Sequence, residues 1–331
     1  MKVSYKSSGV DISKGDKLVD LIKPFVKQTF TENVISGIGN FGAFYQIPLN
    51  KYRNPVFVSS VDGVGTKLKI ASLLGKFDTV GEDLVNHCVN DIAVCGAVPL
   101  FFLDYYAMGR LNVKDGTNVI KGIVRGCKSN GCSLIGGETA EMPGIYQGDD
   151  FDLAGSITGI VEKKNILDKK NVKSGDVLIG LTSSGLHTNG YSLARKVFPT
   201  KHSLTKRHSD LKSTPGKELL KVHRSYLNII QKSLKQFDIK AISHITGGGI
   251  EGNTKRVVPK NLKLKINWFS WNRLPIFNLI QKLGNVDELE MRKTFNLGIG
   301  LVFIINKNEA DKFTKFLNRN NETNYIIGEI K

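Results

Sequence analysis

The stretch VSSVDGVGTKLKIA, residues 58–71, decides the fold. Its apolar, β-branched opening reads as a strand that stops at Asp62. Gly63 and Gly65 make a turn, Thr66 and Lys67 follow, and helix-like spacing continues to Ala71. Thr66 and Lys67 offer phosphate a hydroxyl and a point charge. A P-loop ATPase is excluded, because GxxxxGK[ST] sets Lys before the hydroxyl residue and needs a longer loop. The question is why a carboxylate stands at a strand tip beside a phosphate-friendly turn.

Working outward, DKLVDLIKPFVKQTF (16–30) spaces Leu18, Leu21, Ile22, Phe25 and Val26 as a helix, with Pro24 expected to kink or restart it. GEDLVNHCVNDIAVCG (81–96) reads as a helix closed by Gly96, PLFFLDYYAMG (99–109) as an apolar strand, and 119–127 as a helix. CSLIGGETAEM (132–142) and DLAGSITGIVE (152–162) read as strands. The polar, lysine-rich EKKNILDKKNVKSGD (162–176) marks a boundary, giving domains at 1–165 and 166–331. The second half opens with the strand VLIGL (177–181) and the loop TSSGLHTNG (182–190), and a helix begins near Tyr191. A basic surface loop is expected over 200–216, an amphipathic helix over 217–237, and a strand with a glycine loop at AISHITGGGIEGN (241–253). FNLGIGLVFII (295–305) reads as a buried strand, a helix is expected near 310–317, and YIIGEI (325–330) is the last strand. Strands and helices mix without strict alternation, which predicts α+β sandwiches rather than a doubly wound sheet.

The formal net charge is +17. Either a nucleic-acid partner or general lysine usage with anionic small ligands would account for it. The lysines spread along the whole chain and no nucleic-acid motif appears, which favours the second. Cys88, Cys95, Cys127 and Cys132 form no CxxC pair, so a reducing compartment is expected and zinc is not. The start, MKVSYKSSGV, lacks an apolar signal core, and the longest nearly apolar run, IAVCGAVPLFFL (92–103), is too short to span a bilayer and contains Pro99. A cytoplasmic protein with no membrane partner is expected.

GIGNFG (37–42) matches GxGxxG, but no buried strand precedes it and Pro48 follows, so the dinucleotide fold fails on context. Gly37, Gly39 and Gly42 either wrap phosphate with backbone N–H groups or form a plain flexible loop. Asp62, Asp104 and Glu138 lie in or at the ends of apolar strands, and Asp91 lies on the polar side of a helix. Each alone reads as a salt bridge or cap. Together they suggest a magnesium–nucleotide site, since magnesium takes one or two carboxylates plus substrate phosphates. Ser183, Ser184, Gly185, His187 and Asn189 precede a helix, a ready anion site. His187 is either a general acid–base group or a structural hydrogen bonder. His244, Thr246, Gly247, Gly248 and Gly249 repeat the theme and suggest a second anionic ligand, with Asn296 able to line the same site.

Taken together, SYKSSGVDI, GIGNFGAF, DGVGTKLKIA, VNDIAVCGAVPLFFLDYYAMG, GGETAEMPGIY, GDVLIGLTSSGLHTNGYSLARKV, ITGGG and KTFNLGIG resemble the aminoimidazole ribonucleotide synthetase (phosphoribosylformylglycinamidine cyclo-ligase) family, in order along essentially the whole chain. The resemblance implies two α+β domains, an N-terminal one that binds ATP and forms a dimer barrel and a C-terminal one that binds substrate, with an active-site cleft between them. It implies a homodimer that uses ATP to close formylglycinamidine ribonucleotide to aminoimidazole ribonucleotide, releasing ADP and phosphate, in purine synthesis. Carried over to this chain, Lys27, Gly37, Gly39, Gly42, Asp62, Gly63, Thr66 and Lys67 would hold ATP. Asp62, Asp91 and Glu138 would hold Mg²⁺. Ser183, Ser184, Gly185, Asn189, Thr246, Gly247, Gly248 and Asn296 would hold the ribonucleotide, and Asp91 and His187 would handle protons. Ile250 and Glu251 replace aromatic residues, and His223 stands where the family has proline; these departures are expected to alter packing rather than chemistry. Selenophosphate synthetase, which shares the architecture, would favour a reactive cysteine near the N-terminus, whereas the first cysteine here is Cys88.

Overall fold

A computed structural model describes residues 3–331. The chain divides into two compact units, Met1–Ile92 with Val98–Lys163, and Ala93–Ala97 with Lys164–Lys331.

The first unit contains α1 (Ile12–Lys27), β1 (Pro55–Gly63), α2 (Lys67–Leu74), α3 (Val80–Ala93), β2 (Val98–Met108), α4 (Val113–Asn130), β3 (Ser133–Glu141) and β4 (Phe151–Glu162). The sheet order is β1-β4-β2-β3, with β2 and β3 parallel and the other pairs antiparallel. Side chains alternate across it. Phe102, Tyr106, Leu153 and Ile157 are buried on the helical face, while Phe57, Val61, Leu103 and Tyr105 stand exposed on the other. Helices α3 and α4 approach backbone to backbone: a Cβ on Gly81 would lie 2.1 Å from the Val119 carbonyl, and one on Gly122 2.7 Å from that of Asp78. Helix α4 outruns the expected 119–127 at both ends. The Asn112 side chain caps its start and left-handed Gly131 ends it. Helix α1 runs through Pro24 unbroken. The proline sits in the last turn on an exposed face, where losing one helical hydrogen bond is tolerated.

The second unit contains β5 (Val177–Thr182), α5 (Tyr191–Val197), α6 (Lys201–Thr205), α7 (Pro215–Leu219), α8 (Leu227–Leu234), β6 (Ile239–His244), α9 (Gly249–Arg256), β7 (Leu264–Ile266), α10 (Pro275–Gly284), α11 (Glu288–Thr294), β8 (Ile299–Ile305), α12 (Ala310–Arg319) and β9 (Asn324–Ile330). Its sheet, β6-β8-β5-β9-β7, is antiparallel throughout, and every residue of β8 is buried. The architecture is the expected two-domain α+β type.

Two local expectations are corrected. Residues 200–216 are not one loop: Thr200 and Ser203 form a capping box that starts α6, and buried Leu204 and Leu211 anchor the segment. Residues 217–237 are not one helix, since α7 and α8 are separated by irregular chain at 221–226. Long-range bonds outweigh helical periodicity there. Tyr226 Oη donates to Thr182 O at 2.8 Å, and Arg224 reaches Thr182 O (3.1 Å) and the Glu322 carboxylate.

Candidate functional site

In the first unit, the strand tip and α3 assemble one cluster. Asp62 leaves β1 on the helical face; its Oδ1 accepts from Gly63 N at 2.7 Å and its Oδ2 lies 2.9 Å from His87 Nε2. Asp91, one helical turn beyond His87, accepts from Ser60 Oγ at 3.2 Å. Burial works against the charge on both Asp62 and His87, but their hydrogen bond and mutual attraction prevail. The Asp62 carboxyl sits below its ordinary pKa and the His87 imidazole above its own. Thr66 is exposed at the start of α2.

Lys67 departs from expectation. Its side chain is fully buried, and its ammonium lies 2.8 Å from the equally buried Asp83 carboxylate. That charge faces the core rather than a phosphate.

The other two acids form a separate group. In strand register Asp62, Gly155, Asp104 and Gly137 follow one another across the sheet. The two aspartates are therefore about 10 Å apart, two strand spacings. Asp104 is buried, and its carboxyl is pushed up to about 7, first by burial and then by the charge of Glu138. Glu138 pairs in register with Tyr105, whose side chain takes the opposite face from Asp104. Asp104, Glu138 and Glu141 line a cavity of about 380 Å³ with residues of α1. The structure thus brings Asp62 and Asp91 together around His87 and sets Glu138 apart from them.

The glycine segment 37–42 is a loop whose neck is closed by Ile35 N to Phe44 O (2.9 Å), Phe44 N to Ser36 Oγ (2.8 Å) and Gln46 N to Asn33 O (2.8 Å). Gly37, Gly39 and Gly42 line a cavity of about 620 Å³ together with Tyr45, Phe57 and Phe101. Aromatic walls beside a glycine backbone suit a base and its phosphates. Lys27, exposed at the end of α1, is not among the lining residues.

In the second unit, two glycine turns lie side by side. Ser183 Oγ donates to Gly185 O at 2.9 Å and lies 3.1 Å from Asn296 Oδ1. Asn296 Nδ2 donates to the same carbonyl at 2.9 Å, and its Oδ1 accepts from Gly298 N at 2.9 Å. Ser184 Oγ donates to Val222 O at 2.5 Å. His187 adopts a left-handed backbone, φ +63°, and Gly190 another, because a Cβ there would lie 2.2 Å from the Phe295 ring. In the second turn, Asn253 Nδ2 donates to the carbonyls of Thr246, Gly247 and Gly249 (3.2, 3.1 and 2.9 Å), and Thr246 Oγ1 donates to Asn253 Oδ1 at 3.1 Å. The turns meet where Asn189 Oδ1 stands 3.2 Å from the place of a Gly247 Cβ. Gly248 is left-handed at φ +97°. Ser183 N and Gly249 N donate to Gly298 O (2.8 Å) and Thr246 O (3.2 Å), and Asn253 and Asn296 tie carbonyls back, which fixes two glycine turns of a kind suited to anions.

Behind the second turn, Arg292 O would lie 1.9 Å from a Gly249 Cβ, so α11 buttresses it directly. Glu288 on α11 accepts from Arg273, Arg292 and Gln281. The Arg273 bond leads in holding its carboxyl down at about 2. A carboxylate held below its unfolded value stabilises the fold above that value, 4.5, and loses the contribution as pH falls through about 2. The side chain is 37% exposed, so screening limits the effect. Glu288→Gln is expected to lower stability by about 1 kcal/mol at pH 7, with a smaller difference from wild type at pH 3, measured by urea unfolding at both.

Sequence reasoning missed His87, although its i, i+4 spacing from Asp91 was a usable signal. It also missed Asn253, for which the sequence carries no signal.

Residues 40–161 match the family described as AIR synthase related protein, N-terminal domain, and residues 173–331 match AIR synthase related protein, C-terminal domain. The phosphoribosylformylglycinamidine cyclo-ligase of Thermoanaerobacter pseudethanolicus is 52% identical over 99% of this chain and 97% of its own length. That of Acetivibrio thermocellus is 49% identical over 99% and 96%. Among solved structures, thiamine-monophosphate kinase from Stenotrophomonas maltophilia superposes with a TM-score of 0.68 at 16% identity, covering 94% of this chain and 93% of that one. The hydrogenase maturation protein HypE in complex with ATP superposes at 0.67 and 15% identity, covering 95% and 86%. At such identities the two structures speak for the fold alone. With both halves matched and about half of all positions shared with the named enzymes, the chain belongs to the AIR synthase family, among the phosphoribosylformylglycinamidine cyclo-ligases.

Proposed function

We propose that the chain closes formylglycinamidine ribonucleotide to aminoimidazole ribonucleotide at the expense of ATP, with the site residues in the roles given below. The observation that supports this best is the pair of interlocked anion turns in the second unit, in a chain 52% identical over nearly its full length to a cyclo-ligase. Phosphoryl transfer to the formyl oxygen asks the protein for positioning and charge neutralisation rather than a nucleophile. The glycine loop 37–42 and Thr66 hold the triphosphate, and Tyr45, Phe57 and Phe101 take the base. The hard carboxylate oxygens of Asp62 and Asp91 suit Mg²⁺, which when bound would neutralise phosphate charge; Glu138, on its own part of the sheet, would engage it only with a different portion of the ligand. Ser183, Ser184, Gly185, Asn189, Thr246, Gly247 and Gly248 grip the ribonucleotide, with Asn296 bracing the first turn from behind. Asp91 and His187 take up and return the protons moved during closure. Lys67 supports this site from the core.

The test is an assay of the purified chain with both substrates, with and without a chelator. Formation of the five-membered ring, ADP and phosphate, abolished by chelation and restored by Mg²⁺, is the expected result. ATP hydrolysis without ring product would overturn the reading.

We also infer a homodimer joined through the first unit, supported by the exposed apolar face of its sheet. Val61 is 73% exposed there, beside Leu103 and Tyr105. A face of this kind marks an interaction surface. Val61→Lys with Leu103→Glu is expected to halve the mass seen in sedimentation equilibrium; an unaltered mass would refute this interface.

A further inference from the structure

Three histidines of the second unit stand in one buried row. His187, His223 and His244 are 1%, 0% and 6% exposed. The rings of His187 and His223 stack at 4.0 Å with 18° between their planes. His223 Nε2 lies 3.0 Å from His244 Nε2, and His223 Nδ1 lies 3.3 Å from Thr188 Oγ1. His223 enters the row from the irregular chain between α7 and α8, the segment whose periodicity asked for helix. His187 comes from the first anion turn, and His244 is the last residue of β6, just before the second.

Hydrogen-bond chemistry restricts this row closely. A backbone amide can only donate, and Ser184 N–H donates to His187 Nε2 at 3.2 Å. That nitrogen therefore carries no hydrogen, and any proton His187 exchanges passes through Nδ1. Between the Nε2 atoms of His223 and His244 there is room for one hydrogen. If His223 Nε2–H donates, His244 Nε2 is bare and His223 Nδ1 accepts from Thr188. In the reverse arrangement His244 Nε2 carries the hydrogen and His223 Nδ1–H donates to Thr188. In either case the two Nε2 atoms share that one hydrogen, so the state of His244 Nε2 follows that of His223 Nε2. The stack meanwhile fixes the plane of His187. A Cβ on Gly300 of β8 would lie 2.6 Å from His187 Cε1 and 2.1 Å from Tyr226 Oη, so the far side is closed too.

We propose that His223 is a positioning residue for the cyclisation: by its bond to His244 it holds that imidazole in a single tautomer, and by its stack on His187 it holds the other in a single orientation, beside the two anion turns. It rests on the reading of His187 as a proton-handling group, and it replaces the expectation that His223 affects packing alone. Its chemistry is that of a linker: it touches no substrate, and it couples the first anion turn to the second.

The test uses the full chain with ¹⁵N-labelled histidine, six residues in all, and long-range ¹H–¹⁵N correlation of the ring nitrogens. Wild-type His244 is expected as one tautomer. His223→Phe keeps the ring stack and removes both bonds; His244 is then expected to show two tautomers, with kcat down about tenfold or more and KM for both substrates within about twofold, a part of the usual acid–base contribution. His223→Gln can restore a bond to His244 and is expected to bring kcat back to within about threefold of wild type. Mixed tautomers in the wild type, or an unaltered His244 spectrum with undiminished kcat in His223→Phe, would overturn the proposal. If His223→Phe does not fold, the wild-type spectrum and the Gln variant decide it. His187→Asn with full activity would instead remove the proton-handling reading while leaving the spectral test of His223 standing.

Discussion

Asp91→Asn is expected to fold and melt like the wild type and to turn over about a hundredfold more slowly or worse. Asparagine has the same shape as aspartate, and its carbonyl oxygen can still accept from Ser60 Oγ, which stands 3.2 Å from Asp91 Oδ2. What it lacks is negative charge and a site for a proton. Asp91 shares its surroundings with Asp62 and His87, a cluster in which one imidazole sits against two carboxylates. Removing one of those charges withdraws support for cation binding and for proton transfer together, and neither loss is felt by the core. Steady-state kinetics beside a thermal melt separate the two quantities. A near-normal kcat would take Asp91 out of the mechanism; a falling melting temperature would make it structural.

The second large effect is expected at Lys67. Burial draws its pKa below the ordinary lysine value, while the Asp83 carboxylate at 2.8 Å works to keep it charged. Lys67→Met removes the ammonium 2.8 Å from the buried Asp83 carboxylate, and a loss of about 3–5 kcal/mol in urea unfolding is expected. Replacing both partners, Lys67→Met with Asp83→Leu, is expected to recover most of that, because the desolvation cost of the pair disappears with it. If Lys67 instead met ATP directly, the single variant would raise KM for ATP at unchanged stability. The double variant would then rescue nothing.

Lys67 also illustrates what the sequence can and cannot reveal. The unit at 58–71 was legible because strand, turn and helix start are local: β-branched residues end at Asp62, and glycine and threonine punctuate the turn. Helix α4 had its end signals in plain view at Asn112 and Gly131. The direction of the Lys67 side chain was not legible, because its partner lies sixteen residues on, in a different helix. The break between α7 and α8 was hidden for the same reason. It depends on Thr182 and Glu322, neither of which is near Arg224 in sequence. Likewise, the acids could be picked out one at a time, but only strand register shows that Asp104 lies level with Gly137, and Glu138 with Tyr105, on neighbouring strands. Local chemistry is written in neighbouring letters; the grouping of residues from separate elements is written in the pairing of strands.

The left-handed backbone at His187 restricts how this position can evolve. At φ +63° most L side chains crowd their own carbonyl, and branched ones do so worst. Besides histidine, glycine, asparagine and aspartate best tolerate such a geometry, and none of these three carries an imidazole. A lineage that loses His187 can therefore drift to few neighbours, all polar or minimal, so the turn would outlive its chemistry and persist as a recognisable relic in descendants that no longer catalyse the reaction.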